Sequence, residues 1–297
     1  MNAIGIDVGG TNIKIGVVSK QGKVLNKEIL KVNPKESGLN ALKRIARVIN
    51  QYKKKYSLKG IGMGMPGILD FSTGELLYSS TTLNSWRHIN LINTLTKLTK
   101  LKVKISNDAN VATLAESRFG KYKKVNSLIL LTLGTGVGGG IIVNKHLIQG
   151  NNGQGAELGH MCINHDGRKC GCGRVGCLEA YVSATALEKD ATKAFKKKID
   201  AKQVFSLYAK ANPIAKKVIN DYITYLGDGL LSYCIIFRPE VILLSGGVAN
   251  AGDLLIKPLN DYLKKHYYGI KGTAKVIVDV ASLNYDSGMI GAASLVL

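Results

Sequence analysis

One pattern, a strand, a glycine turn and a returning strand, occurs twice in this chain of 297 residues and constrains its fold more than any other feature. Residues 3–18 are two apolar runs separated by the turn GGTN, and residues 128–143 repeat the design around the turn GTG. Two copies of one pattern predict a duplicated architecture with two related halves.

Apolar periodicity predicts further elements in the first half. Helical spacing occurs at residues 38–52, through Leu39, Leu42, Ile45, Val48 and Ile49, and a second helix is predicted at residues 109–119. The predicted strands are residues 23–30, as an edge strand, and residues 60–64 and 103–106. The alternation of strands and helices is typical of an α/β fold.

The chain becomes mostly helical after a cysteine-rich stretch. Ser183 can cap one helix, and Pro213 marks the start of another. The second of these helices is predicted to bury one face, which consists of Ile214, Val218, Tyr222, Leu226 and Leu230. Residues 241–244 are predicted as a buried strand, and residues 286–297 as a helix that packs against the first sheet.

We therefore expect two domains that meet in a cleft. The smaller would comprise residues 1–117 together with the C-terminal helix 286–297, and the larger would comprise residues 118–285. The sequence shows neither an apolar run as long as a membrane span nor the pattern of a secretory signal. We therefore expect a cytoplasmic protein without a membrane partner.

The net charge of +21 comes from short lysine runs scattered along the chain, and no nucleic-acid-binding signature accompanies them. We expect a basic surface that attracts anionic metabolites and no nucleic-acid partner.

The stretch ELGHMCINHDGRKCGCGRVGCLE, residues 157–179, concentrates four of the five cysteines. Three of them, Cys170, Cys172 and Cys177, lie within eight positions of one another, which in a reducing compartment favours a metal site over disulfides. The other two, Cys162 and Cys234, are expected to be small core residues. Such a site either does chemistry, with one coordination position open, or holds structure, with all four filled.

Three glycine turns follow apolar strands and predict a phosphate-binding site. They are Gly9-Gly10-Thr11, then Gly134-Thr135-Gly136-Val137-Gly138, then Gly246-Gly247. Glycines let backbone N–H groups approach phosphate oxygens, and none of the three turns has the spacing of a Walker A loop. Asp7, just ahead of the first turn, is placed to hold Mg²⁺, directly or through water; the alternative is a carboxylate that caps the turn.

Asn107-Asp108 stands between a predicted strand and a predicted helix. The simplest interpretation is N-capping of that helix. Ligands of open α/β sheets, however, bind at the carboxyl ends of strands, and an aspartate there can accept the proton of an alcohol during phosphoryl transfer. Asp108 is therefore a candidate general base.

In order along the chain, the motifs DVGGTN, GMPG, NDAN, LGTGVGGG, ELGH, CGCGRVGCLE and LSGG resemble the ROK family, named for its repressors, open reading frames and kinases. The resemblance runs over essentially the whole chain. It implies an actin-like ATPase (ribonuclease H-like) α/β duplication, with two domains around a cleft that holds ATP. The phosphates would lie on the loops at residues 7–11 and 134–138, and the adenine near Gly246-Gly247.

The same resemblance implies roles for individual residues. Asp108 would be the catalytic base, and the sugar hydroxyls would be bound by Gly67, Asn107, Glu157, His160 and Glu179. The ligands of a zinc ion would be His160, Cys170, Cys172 and Cys177, which fill a tetrahedral site and exclude a zinc-dependent hydrolase. His165 would then be a loop residue. If residues 157–160 form a single turn, Glu157 and His160 lie close together.

The resemblance leaves the substrate and assembly open. The expected acceptors are glucose, N-acetylmannosamine or another amino sugar, and a β-glucoside. This chain has one residue fewer between Asn84 and Trp86 than related sequences have, which leaves a larger or substituted sugar open. Trp86 is either a platform for the sugar or a packed loop residue. A homodimer is expected. The alternative function is a sugar-binding transcriptional regulator, which would carry a helix-turn-helix ahead of the first strand; we expect no room for one before Ala3.

Overall fold

The structure is a computed structural model that describes residues 1–79, 81–268, 276–283 and 285–297. The strands are β1 (Asn2–Val8), β2 (Asn12–Ser19), β3 (Val24–Lys31), β4 (Leu58–Met65), β5 (Ile68–Asp70), β6 (Glu75–Tyr78), β7 (Val103–Asn107), β8 (Leu128–Leu133), β9 (Val137–Val143), β10 (His146–Ile148), β11 (Val241–Ser245) and β12 (Ile277–Val280). The helices are α1 (Gly38–Lys53), α2 (Leu91–Thr99), α3 (Asp108–Phe119), α4 (Glu179–Val182), α5 (Ala184–Phe195), α6 (Ala201–Ala209), α7 (Pro213–Phe237), α8 (Asp253–His266) and α9 (Ser287–Ser294). Short 3₁₀ turns occur at Thr81–Trp86, Asn151–Gly153, Leu158–His160 and Val248–Ala251.

The chain divides into two compact units. Unit 1 comprises residues 1–124, 147–156 and 282–297, and unit 2 comprises residues 125–146 and 157–281. The short segment 147–156 therefore belongs to unit 1, although it follows the first hairpin of unit 2 in the sequence. None of the helices in the described parts of the chain is long and apolar enough to span a membrane.

Each half of the chain contributes a five-stranded sheet with the same design. The first has the strand order β3-β2-β1-β4-β7 and the second the order β10-β9-β8-β11-β12. In both, a hairpin of antiparallel strands is extended by two parallel strands, with β4 and β7 following β1, and β11 and β12 following β8. The predicted duplication is therefore confirmed, and β3 is an edge strand as expected.

Helix α9 packs on the sheet of unit 1, as predicted for the C-terminal segment. Glycines make the approach possible: a Cβ atom on Gly5 would lie 1.9 Å from the carbonyl oxygen of Met289, and one on Gly62 would lie 1.7 Å from that of Ala292. On the other face of the helix, a Cβ on Gly291 would lie 1.7 Å from the carbonyl oxygen of Val111 in α3. Backbone-to-backbone contact of this kind admits no side chain at these three positions.

The predicted apolar faces are confirmed apart from two residues. In α1, Leu42, Ile45 and Ile49 are fully buried, but Leu39 is 44% exposed. In α7, Val218, Tyr222, Leu226 and Leu230 are buried, but Ile214 is 42% exposed. Both exceptions lie in the first turn of their helix, because periodicity marks the direction of a face and does not mark where along the axis the packing partner begins.

Trp86 is only 2% exposed and belongs to the hydrophobic core of unit 1. The interpretation of Trp86 as an open platform for a sugar is therefore wrong, and it packs beneath the loop instead. Its backbone also lies against α1, since a Cβ atom on Gly38 would be 2.8 Å from the Cα atom of Trp86. Burying a large aromatic side chain contributes about 2–3 kcal/mol, so the tryptophan anchors this loop to the fold.

Candidate active site

The sheet of unit 1 places its chemically important residues along one edge. Strands β1, β4 and β7 are parallel, with Asp7 opposite Gly64 and Met65 opposite Asn107. The carboxyl ends of parallel strands meet at the same edge of a sheet, which is where ligands bind in open α/β folds. Asp7, Gly67 and Asp108, predicted from separate motifs, thus come to this edge.

The first glycine turn is a tight hairpin between β1 and β2. The backbone N–H of Gly9 donates to the carbonyl oxygen of Asn12 over 2.9 Å, and the carbonyl of Thr11 accepts from the N–H of Val32. A Cβ atom on Gly10 would lie 3.4 Å from the hydroxyl oxygen of Thr82, so little space remains there. The hairpin holds the backbone of residues 9–11 at the sheet edge, directly after Asp7.

The Asp7 carboxylate is held from one side by a lysine. The ammonium of Lys14 lies 3.1 Å from Oδ2 of Asp7, and the two side chains are 13% and 19% exposed. The hydrogen bond from Lys14 goes to Oδ2 and leaves Oδ1 to other contacts. One carboxylate oxygen is therefore available to a ligand such as a hydrated cation, which fits the chemistry of a magnesium site.

The local backbone explains why glycine occurs at position 67 and asparagine at position 107. Gly67 has a φ of +107°, and a Cβ atom there would lie 2.2 Å from the carbonyl oxygen of Tyr78, so only glycine fits. Asn107 caps α3, because its Oδ1 accepts from the N–H of Ala109 over 2.9 Å. The N-capping interpretation is thus correct for Asn107, which leaves its amide nitrogen for other contacts.

Asp108 is the first residue of α3 and is half-buried. Its Oδ1 accepts from the N–H of Ala109 over 2.8 Å, which fixes the side chain against the start of the helix. A carboxylate that is oriented in this way can accept a proton from a hydroxyl.

Asn110, two residues further, is a feature that the motif analysis missed. Its side chain is 2% exposed, and its Oδ1 has no hydrogen-bond partner among the described residues. An unpaired buried amide costs about 1–3 kcal/mol. The sequence offers no signal for it beyond its place in NDAN.

In unit 2 the other two glycine turns lie side by side. Strands β8 and β11 are parallel neighbours with Thr132 opposite Ser245, so the turns that follow them leave the same sheet edge. Gly246 has a φ of +90°, and a Cβ atom there would lie 2.5 Å from the carbonyl oxygen of Leu133. The sheet therefore brings residues 134–138 and 246–247 together, although more than a hundred residues separate them in sequence.

Glu179 connects the larger glycine turn to the cysteine cluster. Its Oε2 accepts from the backbone N–H of Val137 over 2.8 Å, and its Oε1 lies 3.5 Å from the sulfur of Cys170. A Cβ atom on Gly136 would lie 2.5 Å from Oε2, which explains the glycine at that position. Both oxygens of Glu179 are therefore engaged within unit 2, a connection that sequence motifs could not reveal.

Glu157 and His160 lie on a single turn, as expected from their spacing. The N–H of His160 donates to the carbonyl of Glu157 over 3.0 Å across the 3₁₀ turn Leu158–His160. A Cβ atom on Gly159 would lie 2.1 Å from the carbonyl oxygen of Val137, so the turn packs directly on β9. The hydroxyl of Tyr233, from α7, donates to the carbonyl of Leu158 over 2.6 Å. Sequence reasoning missed Tyr233 because it lies some seventy residues further along the chain.

The four predicted metal ligands converge. The ligand atoms of His160, Cys170, Cys172 and Cys177 all lie within 4.8 Å of one another. Nδ1 of His160 is 3.7 Å from the sulfur of Cys170, and the sulfurs of Cys172 and Cys177 are also 3.7 Å apart. Zinc–sulfur bonds of about 2.3 Å at tetrahedral angles place two sulfurs about 3.8 Å apart, so this Cys₃His group fits a closed structural zinc site.

The surroundings of the three thiols differ from one cysteine to the next. Burial raises the pKa of Cys170 to about 12 and raises the pKa of Cys177 as well, whereas the N–H of Arg174 lowers the pKa of Cys172. Without a cation, the two buried sulfurs are therefore neutral thiols. A divalent metal ion would supply the positive charge that favours the thiolate forms. Zinc prefers sulfur ligands, and the group offers three, the exposed Cys172 and the buried Cys170 and Cys177.

Arg168 ties the cysteine-rich loop to the helices of unit 2. Its guanidinium donates to Asp190 over 2.9 Å and lies over the ring of Tyr181, with 4.5 Å between the guanidinium carbon and the ring centroid. The hydroxyl of Tyr181 in turn accepts from the backbone N–H of Arg168. The loop thus has contacts with α4 and α5 that do not depend on a metal.

The remaining two residues of the stretch lie outside this group. His165 is in an exposed loop, where it pairs with Asp166, as expected. Cys162 is exposed, with its sulfur 3.7 Å from the carbonyl of Val175, so the expectation that it is a core residue is wrong. Cys162 lies in a loop at the surface, where its side chain has no apolar core to pack against. Cys234 is 2% exposed, and burial in α7 raises the pKa of its thiol to about 12, in agreement with a core role.

Comparisons with known proteins agree with the motif pattern over the whole chain. The family model of the ROK family matches residues 3–297. A glucokinase of Thermotoga maritima is 34% identical, and the match covers 100% of this chain and 97% of that protein.

Solved structures show the same similarity in three dimensions. A ROK hexokinase from Thermus thermophilus has a TM-score of 0.86 at 32% identity and covers 99% of this chain and 97% of its own. A ROK family glucokinase from Streptomyces griseus, solved in complex with glucose and AMPPNP, has a TM-score of 0.80 at 29% identity and covers 100% of this chain and 99% of its own.

Proposed function

The chain belongs to the ROK family and has the two-domain, actin-like ATPase fold of ROK sugar kinases, and from this premise we propose that it transfers the γ-phosphoryl group of ATP to a sugar hydroxyl with Asp108 as the general base. The observation that carries the proposal is the position of Asp108 at the carboxyl end of β7, on the same sheet edge as Asp7 and the first glycine turn. Phosphoryl transfer needs a proton acceptor and a phosphate-binding loop at one site, and this sheet edge carries both.

In this reaction Asp108 accepts the proton of the attacking hydroxyl. Its Oδ1 accepts from the backbone N–H of Ala109, which orients the carboxylate. The acceptor is a hexose, an amino sugar or a glucoside, and the 6-hydroxyl is the proposed nucleophile. Each hydroxyl of a sugar both donates and accepts, so charged and amide groups are suitable partners. The proposed ligands are Gly67, Asn107, Glu157, His160 and Glu179.

The nucleotide is proposed to bind through the glycine turns. The phosphates would contact the backbone at Asp7, Gly9, Gly10, Thr11, Gly134, Thr135, Gly136 and Gly138, and the adenine would lie near Gly246 and Gly247. Asp7 would hold the Mg²⁺ that accompanies ATP, directly or through water. When bound, Mg²⁺ neutralises charge on the β- and γ-phosphates.

The Cys₃His group is proposed to hold a structural Zn²⁺. With Nδ1 of His160 facing the cysteines, its Nε2 is the nitrogen left for a sugar hydroxyl. A metal at this site would therefore fix both the tautomer and the direction of the imidazole. Sugar affinity and metal content are expected to change together.

The identity of the sugar is a narrower proposal. Named relatives and the glucose-bound structure of the Streptomyces griseus enzyme favour glucose, with N-acetylmannosamine and β-glucosides as the other candidates. A sugar-responsive regulator has less support, because relatives similar over their full length are named glucokinases. We also propose, from the sequence resemblance, that the protein is cytoplasmic and forms a homodimer.

The experiment combines a sugar panel with two variants of Asp108. ADP release is followed with ATP, Mg²⁺ and glucose, N-acetylmannosamine or a β-glucoside, while calorimetry measures sugar binding. Asp108→Ala and the nearly isosteric Asp108→Asn should keep sugar affinity within a few-fold and lower kcat by about 10²–10⁴-fold. Wild-type turnover in either variant would refute the base assignment, and a wild-type protein that binds a sugar without any ADP release would refute the kinase.

A further inference from the structure

Lys14 faces Asp7 across the first hairpin of unit 1. The two residues are directly opposite in the antiparallel register of β1 and β2. Their charged groups are 3.1 Å apart, and both side chains are mostly shielded from water, at 13% and 19% exposure. A shielded ion pair next to a proposed phosphate loop differs from the surface pairs elsewhere in the chain, which contribute little.

The contacts of the Lys14 ammonium fix its position. Besides Asp7, it donates to the carbonyl oxygen of Tyr285 over 2.6 Å. It also lies over the ring of Tyr285, 3.6 Å from the ring centroid. An ammonium has three N–H donors, so two hydrogen bonds and an aromatic face use its whole capacity. Lys14 is therefore held in one place by the segment that leads into α9.

The first turn of α9 also lies against the Asp7 carboxylate. A Cβ atom on Gly288 would lie between 2.7 and 2.8 Å from the carboxylate atoms of Asp7. The carboxylate is thus confined between the Lys14 ammonium and the first turn of the helix. A side chain with two shielded faces has little freedom to rotate, so its remaining oxygen keeps a constant direction.

We propose that Lys14 is a positioning residue for phosphoryl transfer: it holds the Asp7 carboxylate in the orientation from which that group binds the Mg²⁺–nucleotide complex. This inference rests on the proposed kinase function and extends it to a residue outside the glycine turn. Partners that orient a metal-binding carboxylate typically change metal affinity or activity by about 10–100-fold when they are removed.

The test compares Lys14→Met and Lys14→Arg with Lys27→Met. Lys27, on the edge strand β3, is the control, because it forms a 2.9 Å ion pair with Asp286 in the segment before α9 that also contacts Lys14, and its partner is not Asp7. Lys14→Met should raise the Kd for MgADP and the Mg²⁺ concentration for half-maximal activity by about 10-fold or more, and lower kcat, with an unchanged KM for the sugar. Lys14→Arg should restore most of the MgADP affinity, since a guanidinium also pairs with a carboxylate.

The two readouts separate this inference from the proposed function. MgADP affinity is measured by calorimetry and does not require turnover, so an inactive wild-type protein would refute the kinase proposal alone. Wild-type MgADP affinity and Mg²⁺ dependence in Lys14→Met would refute the positioning role. So would an equal loss in Lys27→Met, which would indicate a general effect of loosening the segment that leads into α9.

Discussion

The hydrogen bond from Tyr233 to Leu158 supports the turn that presents Glu157 and His160. Tyr233 is 1% exposed in α7, and its hydroxyl donates to the Leu158 carbonyl over 2.6 Å. Among the residues that the structure describes, the other donor to that carbonyl is the N–H of Met161, at 3.3 Å. Replacement of Tyr233 by Phe removes the stronger donor and preserves the ring.

The expected loss of stability follows from the carbonyl that is left nearly unpaired. A buried polar group without its partner costs about 1–3 kcal/mol, and the weak bond from Met161 recovers part of that, so we expect about 1–2 kcal/mol for Tyr233→Phe. This corresponds to a melting temperature lower by about 2–8 °C. Because the loosened turn carries two proposed sugar ligands, the Kd for the sugar should rise, by about 10-fold at most.

Tyr222→Phe is a matched control on the same helix. Tyr222 is 3% exposed, and its hydroxyl donates over 2.7 Å to the carbonyl of Val182, the last residue of α4, so the bond that it loses lies outside the turn Leu158–His160. Differential scanning calorimetry should show a similar loss of stability in both variants, and titration calorimetry should show weaker sugar binding only in Tyr233→Phe. Unchanged sugar affinity in Tyr233→Phe, or the same weakening in both, would refute the role assigned to the turn.

Two further predictions concern the metal group and a buried acid. Cys172→Ser should lower zinc content, melting temperature and sugar affinity together, because a lost thiolate opens the tetrahedral site that orients His160; zinc-free protein with normal sugar binding would contradict this coupling. Glu116 is fully buried in α3, where it accepts from Ser282 and the N–H of Leu283, and burial raises its pKa from 4.5. A raised pKa in the folded state means that the contribution of Glu116 to stability is full below about pH 4.5 and is lost as pH rises through the folded value. Glu116→Gln should therefore flatten the pH dependence of the urea midpoint between pH 4.5 and pH 7.5, and parallel profiles for the two proteins would show that another group is responsible.

Local patterns predicted the elements that depend on neighbouring residues. The strands around both glycine turns and the helix capped by Ser37 lie within one or two residues of their predicted bounds, and α7 starts at Pro213 as predicted. The hairpin of β5 and β6 and the helices α2, α6 and α8 were not predicted, because their short or mixed apolar patterns give weak periodicity. Predicted faces were wrong only where a helix extends beyond its packing partner, at Leu39 and Ile214.

The sequence by itself determined the kinds of chemical group available and the turns that hold them, because glycine conformation, capping and cysteine spacing act over a few residues. It therefore identified the glycine turns and made Asp108 a candidate base, and the family resemblance added the Cys₃His group, whose members converge in the structure. Only the tertiary structure decided which groups meet: Lys14 with Asp7, Glu179 with the N–H of Val137, and Tyr233 with the turn before His160. It also decided between the two alternatives for Trp86, which is packed and buried, and it placed Cys162, expected in the core, at the surface. These outcomes depend on strand register and helix packing, which sum contacts between residues far apart in the chain and leave no local trace in the sequence.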